Sequence, residues 1–396
     1  MKKIAFVTPW YGEDISGGAE AELRGLVHHL YDAGVDLEVL TTCVRDFRSD
    51  WSMDYHPAGM SLCAGIPVRR FPVRPRDTAA FDRVNAKLMK NQFVSREEEW
   101  IYQEEMINSP PLYQYISQNK DSYGLFVFIP YMFGTTYYGV RECYEKAVLI
   151  PCLHDESYAY MDIFKKSFPK LAGMIFHSDS EKLLAKKIYG ISGARFQNLG
   201  EGVDTEARGD GANFRRKYQI DSPFLLYAGR KDAGKKVDVL IQYFLAYKRR
   251  NPSELKLVLI GGGNIEFPKN GDIVELGFVP VQDKHDAYAA ASVFCNPSQF
   301  ESFSLVIMES WLAERPVLVN GDCAVTTDFV RKSNGGLYYQ NYAEFEKCLQ
   351  YLLTHPDIAG QMGRNGRDFV LRNFSWDVIV KKYTEYFKMV ESGIGQ

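Results

Sequence analysis

A strand-then-helix rhythm runs almost the whole length of this chain, interrupted by one helical insert and restarted after one polar stretch. "KIAFVTP" is a short apolar run ending in proline, followed by the polar loop "WYGEDISGGAE". Leu23, Leu26, Val27 and Leu30 then recur at the i, i+3, i+4, i+7 spacing of one helix face. Gly34 is placed to end that helix, and "VDLEVLT" is the next strand. "GLFVFIP", "AVLIPCL", "GMIFHS" and "RFQNLG" continue the series, each after a helical or polar connection. Alternation of this kind packs as parallel sheets flanked by helices.

The break lies near residue 205, in the polar stretch "DTEARGDGANFRRKYQIDSP". After it the rhythm restarts with "FLLYAGR", "VDVLIQYFLAYKRR", "LKLVLIGGG", "IVELGFV", "DAYAAA", "VFCNPS" and "PVLVN". A chain of 396 residues is too long for one ordinary core, so the restart marks a second domain. The expectation is an α/β protein of two doubly wound domains, with a boundary near 205. Residues 77–120 interrupt the first with a charged, largely helical insert, which Pro110 and Pro111 are expected to close.

Bulk properties exclude several classes. A formal charge of -3 offers no global basic field, which argues against nucleic acid as the main partner. The seven cysteines are scattered, odd in number and free of any C-x-x-C pair, as expected of reduced thiols in a cytoplasmic protein. The start "MKKIAFVTPWYG" is too short an apolar run for a signal peptide. "YGLFVFIPYMFG" falls well short of the ~20 residues that span a bilayer. Peripheral contact with the inner face of a membrane stays open. Arg69, Arg70, Arg74 and Arg76 form the main basic cluster, read either as solvated edge arginines or as a patch for acidic lipid or a phosphorylated acceptor.

Candidate chemistry gathers at the expected strand ends. "NPSQFESFSLVIMESW" follows a buried strand and carries Glu301 and Glu309. If the helix starts near Ser302 to Ser304, eight steps at ~1.5 Å separate the carboxylates by ~12 Å along its axis. The free N–H groups of its first turn would suit a phosphate. A nucleotide sugar has that layout, with sugar, diphosphate and a ribose carrying vicinal hydroxyls. A surface helix with wet charges explains the same residues. In "LLYAGRKDAGKK", Arg230 and Lys235 follow a strand end, where two cations can neutralise a diphosphate, or begin a solvated helix.

Gly17 and Gly18 sit in the first βα turn and let backbone approach a ligand, though no G-x-G-x-x-G or P-loop pattern is present. Gly262, in "LIGGGN", could hug a base or ribose, or form a tight turn. His154, before Asp155 in "LIPCLHDESY", could position a sugar hydroxyl or move a proton, although a lone histidine is more often structural. Glu201, Gly202 and Asp204 mark a hinge or a ligand-lining turn. No catalytic Ser-His-Asp order, metal-binding Cys pair or D-x-D stands out, so protein cations, and no metal or cofactor, are expected to meet the diphosphate.

The ordered set Gly17-Gly18, His154-Asp155, "EGVD", "AGRKDAGKK" and "ESFSLVIME" before "PVLVN" resembles the group 1 (family 4) retaining glycosyltransferases. The closing segment "FSWDVIVKKYTEYFKMV" is similar too, so the resemblance spans nearly the whole chain. It implies a GT-B fold, two Rossmann-like domains facing a central cleft. Residues 1–205 would bind the acceptor, 206–375 the nucleotide sugar, and 376–396 would cross back as a helix to the first domain. Arg230 and Lys235 would hold the diphosphate, Glu309 the ribose and Glu301 the donor sugar. Backbone amides around Phe303, Ser304 and Leu305 would help hold phosphate or sugar. Gly17 and Gly18 would approach the donor, and His154 would meet the sugar near the reacting carbon.

The resemblance implies a UDP- or GDP-sugar donor, metal-free transfer of a hexosyl unit with retention, and a saccharide or lipid-linked saccharide acceptor of bacterial polysaccharide or lipopolysaccharide assembly. Two departures stand out: Lys236 replaces a usual glycine, and Glu201 a usual asparagine. Rival readings are a nucleotide-sugar epimerase or sugar phosphorylase, a catalytically silent partner subunit, and an NAD-dependent oxidoreductase, which the absent fingerprint disfavours.

Overall fold

A computed structural model describes residues 1–393 apart from 16, 232, 264 and 267–270, with the Ala233 side chain also set aside. The chain divides into two compact units, Met1–Gly202 with Ile379–Gln396, and Val203–Val378. The polar break in the sequence coincides with the passage from one to the other.

The first unit holds an eight-stranded sheet: β1 (Lys3–Val7), β2 (Leu37–Thr42), β3 (Gly59–Cys63), β4 (Ile66–Phe71), β5 (Tyr123–Phe128), β6 (Ala147–Leu149), β7 (Gly173–Phe176) and β8 (Phe196–Asn198). Their spatial order is β3-β4-β2-β1-β5-β6-β7-β8. All neighbours run parallel except β3 and β4, which pair as an antiparallel hairpin at one edge. That hairpin departs from the parallel sheet expected throughout. The chain begins in mid-sheet, winds out through β2 and β4, then returns beside β1 at β5. The crossovers therefore diverge at β1 and β5, the switch point at which such sheets open a crevice.

The helix Gly18–Asp32 buries Leu23, Leu26, Val27 and Leu30, the residues whose spacing marked it in the sequence. The insert folds as helices Thr78–Met89, Arg96–Glu104 and Pro110–Asn119. Pro110 and Pro111 open the third of these rather than closing the insert. Proline is well suited to the first helical turn because the N–H it lacks has no intrahelical partner there. The closing helix Trp376–Glu391 packs its later turns in this unit, where the Tyr386 hydroxyl donates to the Arg195 carbonyl at 2.7 Å. The final three residues of the segment expected to form that helix lie outside the described residues.

The arginine cluster is engaged within its own unit, and one member is buried. Arg70 is buried and donates to the Tyr11 carbonyl and the Ser61 hydroxyl, each at 2.9 Å. Arg69 stacks on Tyr115, Arg74 pairs with Glu104 and Glu105, and Arg76 lies over Trp51 and Phe81. Arg69, Arg74 and Arg76 stay partly exposed, but each of the four makes contacts within the unit, so freely solvated edge arginines do not describe them. Among the described residues, no helix is long and apolar enough to cross a membrane.

The second unit holds a fully parallel six-stranded sheet: β9 (Phe224–Ala228), β10 (Lys256–Ile260), β11 (Ile273–Gly277), β12 (Val293–Asn296), β13 (Val317–Asn320) and β14 (Gly336–Tyr339), in the order β11-β10-β9-β12-β13-β14. Its inner strands are near-continuous apolar runs, as burial on both faces demands. The switch point here lies between β9 and β12, which pair directly.

Candidate functional site

The second unit brings four of the expected residues to the carboxyl ends of its strands. Arg230 follows β9, with Lys235 five residues on in a short 3₁₀ turn, Ala233–Lys235. Glu301 follows β12, and the helix Leu305–Leu312 carries Glu309. Because β9 and β12 flank the switch point, sequence positions 66 residues apart become neighbours. Lys235 Nζ donates to Glu301 Oε1 at 2.9 Å.

Asn296, the last residue of β12, organises the segment between strand and helix. Its Nδ2 donates to Ser304 Oγ at 2.9 Å and to Glu301 Oε1 at 3.3 Å, and its Oδ1 accepts the Ser298 N–H at 3.0 Å. Ser304 caps the helix in a left-handed conformation, φ 82°, without a side-chain bond to the helix amides. A non-glycine residue held there marks a locally strained turn of the kind that gathers at ligand sites. The helix begins at Leu305, so Glu301 lies four residues before it. The ~12 Å along-axis spacing expected of the two carboxylates therefore has no meaning here, since only Glu309 is helical. Phe303 packs its ring against Phe329 and Phe374 in the core, so only its backbone can serve a ligand.

Glu309 is held from the neighbouring helix Val281–Ala290. Lys284 Nζ donates to its Oε1 at 2.6 Å and the Tyr288 hydroxyl to its Oε2 at 2.9 Å. Burial first, then the Glu309 carboxylate, pushes the Tyr288 phenol well up, so it stays a donor. Each carboxylate oxygen keeps lone-pair capacity for a further hydroxyl.

Two glycine turns interlock beneath this edge. Gly229 N–H donates to the Ile260 carbonyl at 3.0 Å, and Lys231 N–H to the Gly262 carbonyl at 2.7 Å. A Cβ on Gly261, φ 117°, would lie 2.0 Å from the Gly229 carbonyl oxygen, and one on Gly263, φ 119°, 2.2 Å from that of Lys231. A Cβ on Gly262 would first meet the Phe278 ring, at 2.3 Å, and that residue is 80% exposed. Sequence reasoning singled out Gly262, but its flanking glycines carry the close approach. It also missed Lys231, 2% exposed and bonded to Glu275, and Phe278, whose open face suits a flat ring. Their position at strand ends was the available signal.

In the first unit, Gly17 caps the helix Gly18–Asp32 with φ 150°, and a Cβ there would collide with Glu20. A Cβ on Gly18 would meet nothing within 4 Å, so that position is open to substitution by steric criteria. Glu20 accepts from the Trp10 indole at 2.7 Å. His154 lies in the loop after β6, one-third exposed, with Nδ1 3.8 Å from Glu156. Glu201 is buried, so the acid that replaces the usual asparagine faces the protein interior. His177, just after β7, is fully buried with Glu22 and Glu181. Desolvation alone would lower its pKa, but those carboxylates outweigh it and push it up to about 10. The sequence carried no signal for this cluster, whose members lie far apart in the chain.

Comparison with known proteins follows the same division. Residues 222–355 match the family described as Glycosyl transferases group 1. The chain is 29% identical over 231 residues to the D-inositol 3-phosphate glycosyltransferase of Kribbella flavida, covering 52% of this chain and 53% of that one. It spans about half the length of the curated relatives it matches. Over nearly its whole length it shares the fold of sucrose-phosphate synthase from Thermosynechococcus elongatus, with a TM-score of 0.71 at 16% identity, covering 99% of this chain and 100% of that one. A structure from E. coli described as trehalose-6-phosphate bound with UDP-2-fluoro glucose gives 0.70 at 10% identity, with full coverage of both chains.

Proposed function

We propose that this chain is a group 1 glycosyltransferase, a retaining enzyme that moves a hexosyl unit from a UDP- or GDP-sugar to a saccharide or lipid-linked acceptor. The observation that carries the reading is the Lys235–Glu301 contact at the β9/β12 switch point, with Arg230 on the same strand end and Glu309 in the adjoining helix. A diphosphate flanked by sugar and ribose needs cations in the middle and carboxylates at both ends. In this reading Arg230 and Lys235 take the diphosphate, Glu301 the sugar hydroxyls and Glu309 the ribose hydroxyls. The amides around Ser304 and Leu305 add donors to phosphate or sugar. Gly262 and the Phe278 face receive the base or ribose.

For the first unit we carry over the roles implied by the family resemblance: acceptor binding, donor contact through Gly17 and Gly18, and His154 beside the reacting sugar. The acceptor hydroxyl forms its bond to the anomeric carbon as the bond to phosphate breaks. The acceptor proton passes to the departing phosphate oxygen. Arg230 and Lys235 hold the charge that grows on that oxygen, an interaction stronger in the transition state than before it. The diphosphate is met by protein cations, and neither a metal nor a cofactor forms part of this reading. A role in bacterial surface polysaccharide or lipopolysaccharide assembly, at the inner face of the membrane, fits a lipid-linked acceptor.

A thermal-shift and nucleotide-release screen of UDP-, GDP-, ADP- and TDP-sugars, with EDTA present, tests this. One donor should stabilise the protein and slowly release its nucleotide. No response to any donor would instead favour a sugar phosphorylase or a silent partner subunit.

A further inference from the structure

The first unit contains a buried ionic cluster that none of the proposed ligand contacts uses. His177 Nε2 lies 2.5 Å from Glu22 Oε1, and its Nδ1 lies 3.7 Å from Glu181 Oε2. Glu181 bridges two stretches of backbone: its Oε2 accepts the His177 N–H at 2.7 Å and its Oε1 the Leu153 N–H at 2.6 Å. Cys152 Sγ lies 3.7 Å from Glu22 Oε2 and its backbone is left-handed, φ 52°. Glu22 stands on the helix that Gly17 caps, and Leu153 immediately precedes His154.

Burying such a group of charges is expensive, and an apolar substitute is often no less stable, so stability alone is a poor account of it. A metal site is the first alternative, since the Glu22, Cys152 and His177 ligand atoms all lie within 4.8 Å of one another. Its three side chains are here engaged with one another, His177 with Glu22 and Cys152 with Glu22. What the cluster does achieve is connection. It ties the start of the first helix, the loop before His154 and the end of β7 to one another.

We infer that Glu181 and His177 are positioning residues, which hold the His154 loop and the Gly17–Gly18 helix start in fixed register. The inference rests on the role proposed above for His154. The two backbone amides that meet on Glu181 need both of its oxygens, and an amide side chain offers only one acceptor.

Glu181→Gln in the full chain tests this by two readouts. In histidine-labelled protein, the His154 ring resonance, identified by its loss in His154→Gln, should shift. With UDP-glucose or whichever donor the screen selects, kcat should fall about tenfold or more while KM for the donor stays within about twofold, since misplacement near 1 Å can cost that much. Glu22→Gln keeps an acceptor for His177 and should stay within about threefold of wild type. Should the Gln variant not fold, Glu181→Asp keeps the buried charge, withdraws it by one methylene, and is expected to move the same two quantities. An unmoved His154 resonance, or kcat at the wild-type value, overturns the inference. If wild-type protein turns over no nucleotide sugar, the proposed function fails, while the resonance still decides the positioning.

Discussion

Lys235 Nζ and Glu301 Oε1 stand 2.9 Å apart across the β9/β12 switch point, so in the absence of donor these two groups satisfy each other. On the proposed function, donor binding would replace one partner by another, the ammonium turning to phosphate and the carboxylate to sugar hydroxyls. Removing the ammonium would then leave Glu301 next to a diphosphate without its counter-charge. Lys235→Ala should lower kcat about 100-fold or more, in the range found when a preorganised donor to developing charge is lost. Steady-state nucleotide release measures this, and full activity in the variant would refute the clamp.

Glu309 gives a different signature. Truncation to alanine would strand the buried Tyr288 hydroxyl, at a cost of about 1–3 kcal/mol in stability, and so confuse binding with folding. Glu309→Gln keeps an acceptor for Tyr288 and loses the charge that the proposed function offers to ribose. It should weaken nucleotide binding about tenfold while the melting temperature moves little. Calorimetric titration with the free nucleotide reads the first, and a thermal scan the second.

The glycine turns allow a paired test. A Cβ at Gly261 runs into backbone and needs a φ that side chains avoid, whereas one at Gly262 runs into an exposed ring that can swing away. Gly261→Ala should destabilise the second unit by about 2 kcal/mol or more and weaken donor binding through Arg230. Gly262→Ala should fold like wild type. Denaturant melts of both variants check the contrast.

His177 predicts a pH dependence. Its folded pKa is raised from 6.5 to about 10, so the stabilisation it gives is complete below pH 6.5 and disappears as pH rises through about 10. Over that interval the unfolded chain has released a proton the folded one keeps, a loss near 1.4 kcal/mol per pH unit. The neighbouring Glu181 is raised to about 6, burial being the main cause, and adds a loss of the same sign at lower pH. Wild-type stability should therefore fall more steeply from pH 7 to 10 than that of His177→Gln. Denaturant melts across that range would show parallel curves if the assignment is wrong.

The fold was legible because the βα rhythm is periodic, and because a polar stretch separates two runs of it. Arg230, Lys235, Glu301 and Glu309 could be singled out since they follow recognisable strands. What escaped depends on partners distant in sequence. Arg70 reads as one of a basic cluster until β3 covers it. Lys231 looks like a solvated lysine until Glu275 on β11 closes on it. Glu22, Glu181 and His177 are unremarkable singly and meet only through tertiary folding. Lys236, where the family resemblance expects glycine, takes φ 51°, the left-handed geometry glycine would adopt without penalty. There the departure is a local strain.

The order in which β9 to β14 wind has a further consequence. A gap between diverging crossovers is created by the path of the main chain and needs no particular side chain to keep it open. Drift can therefore exchange most of the residues while the receptacle persists, which is how proteins at 10–16% identity retain one architecture. Inheritance of the receptacle and inheritance of its chemistry are then separate events. On the proposed function, the few groups posted at its rim, one ammonium and two carboxylates among them, would be where that chemistry is held.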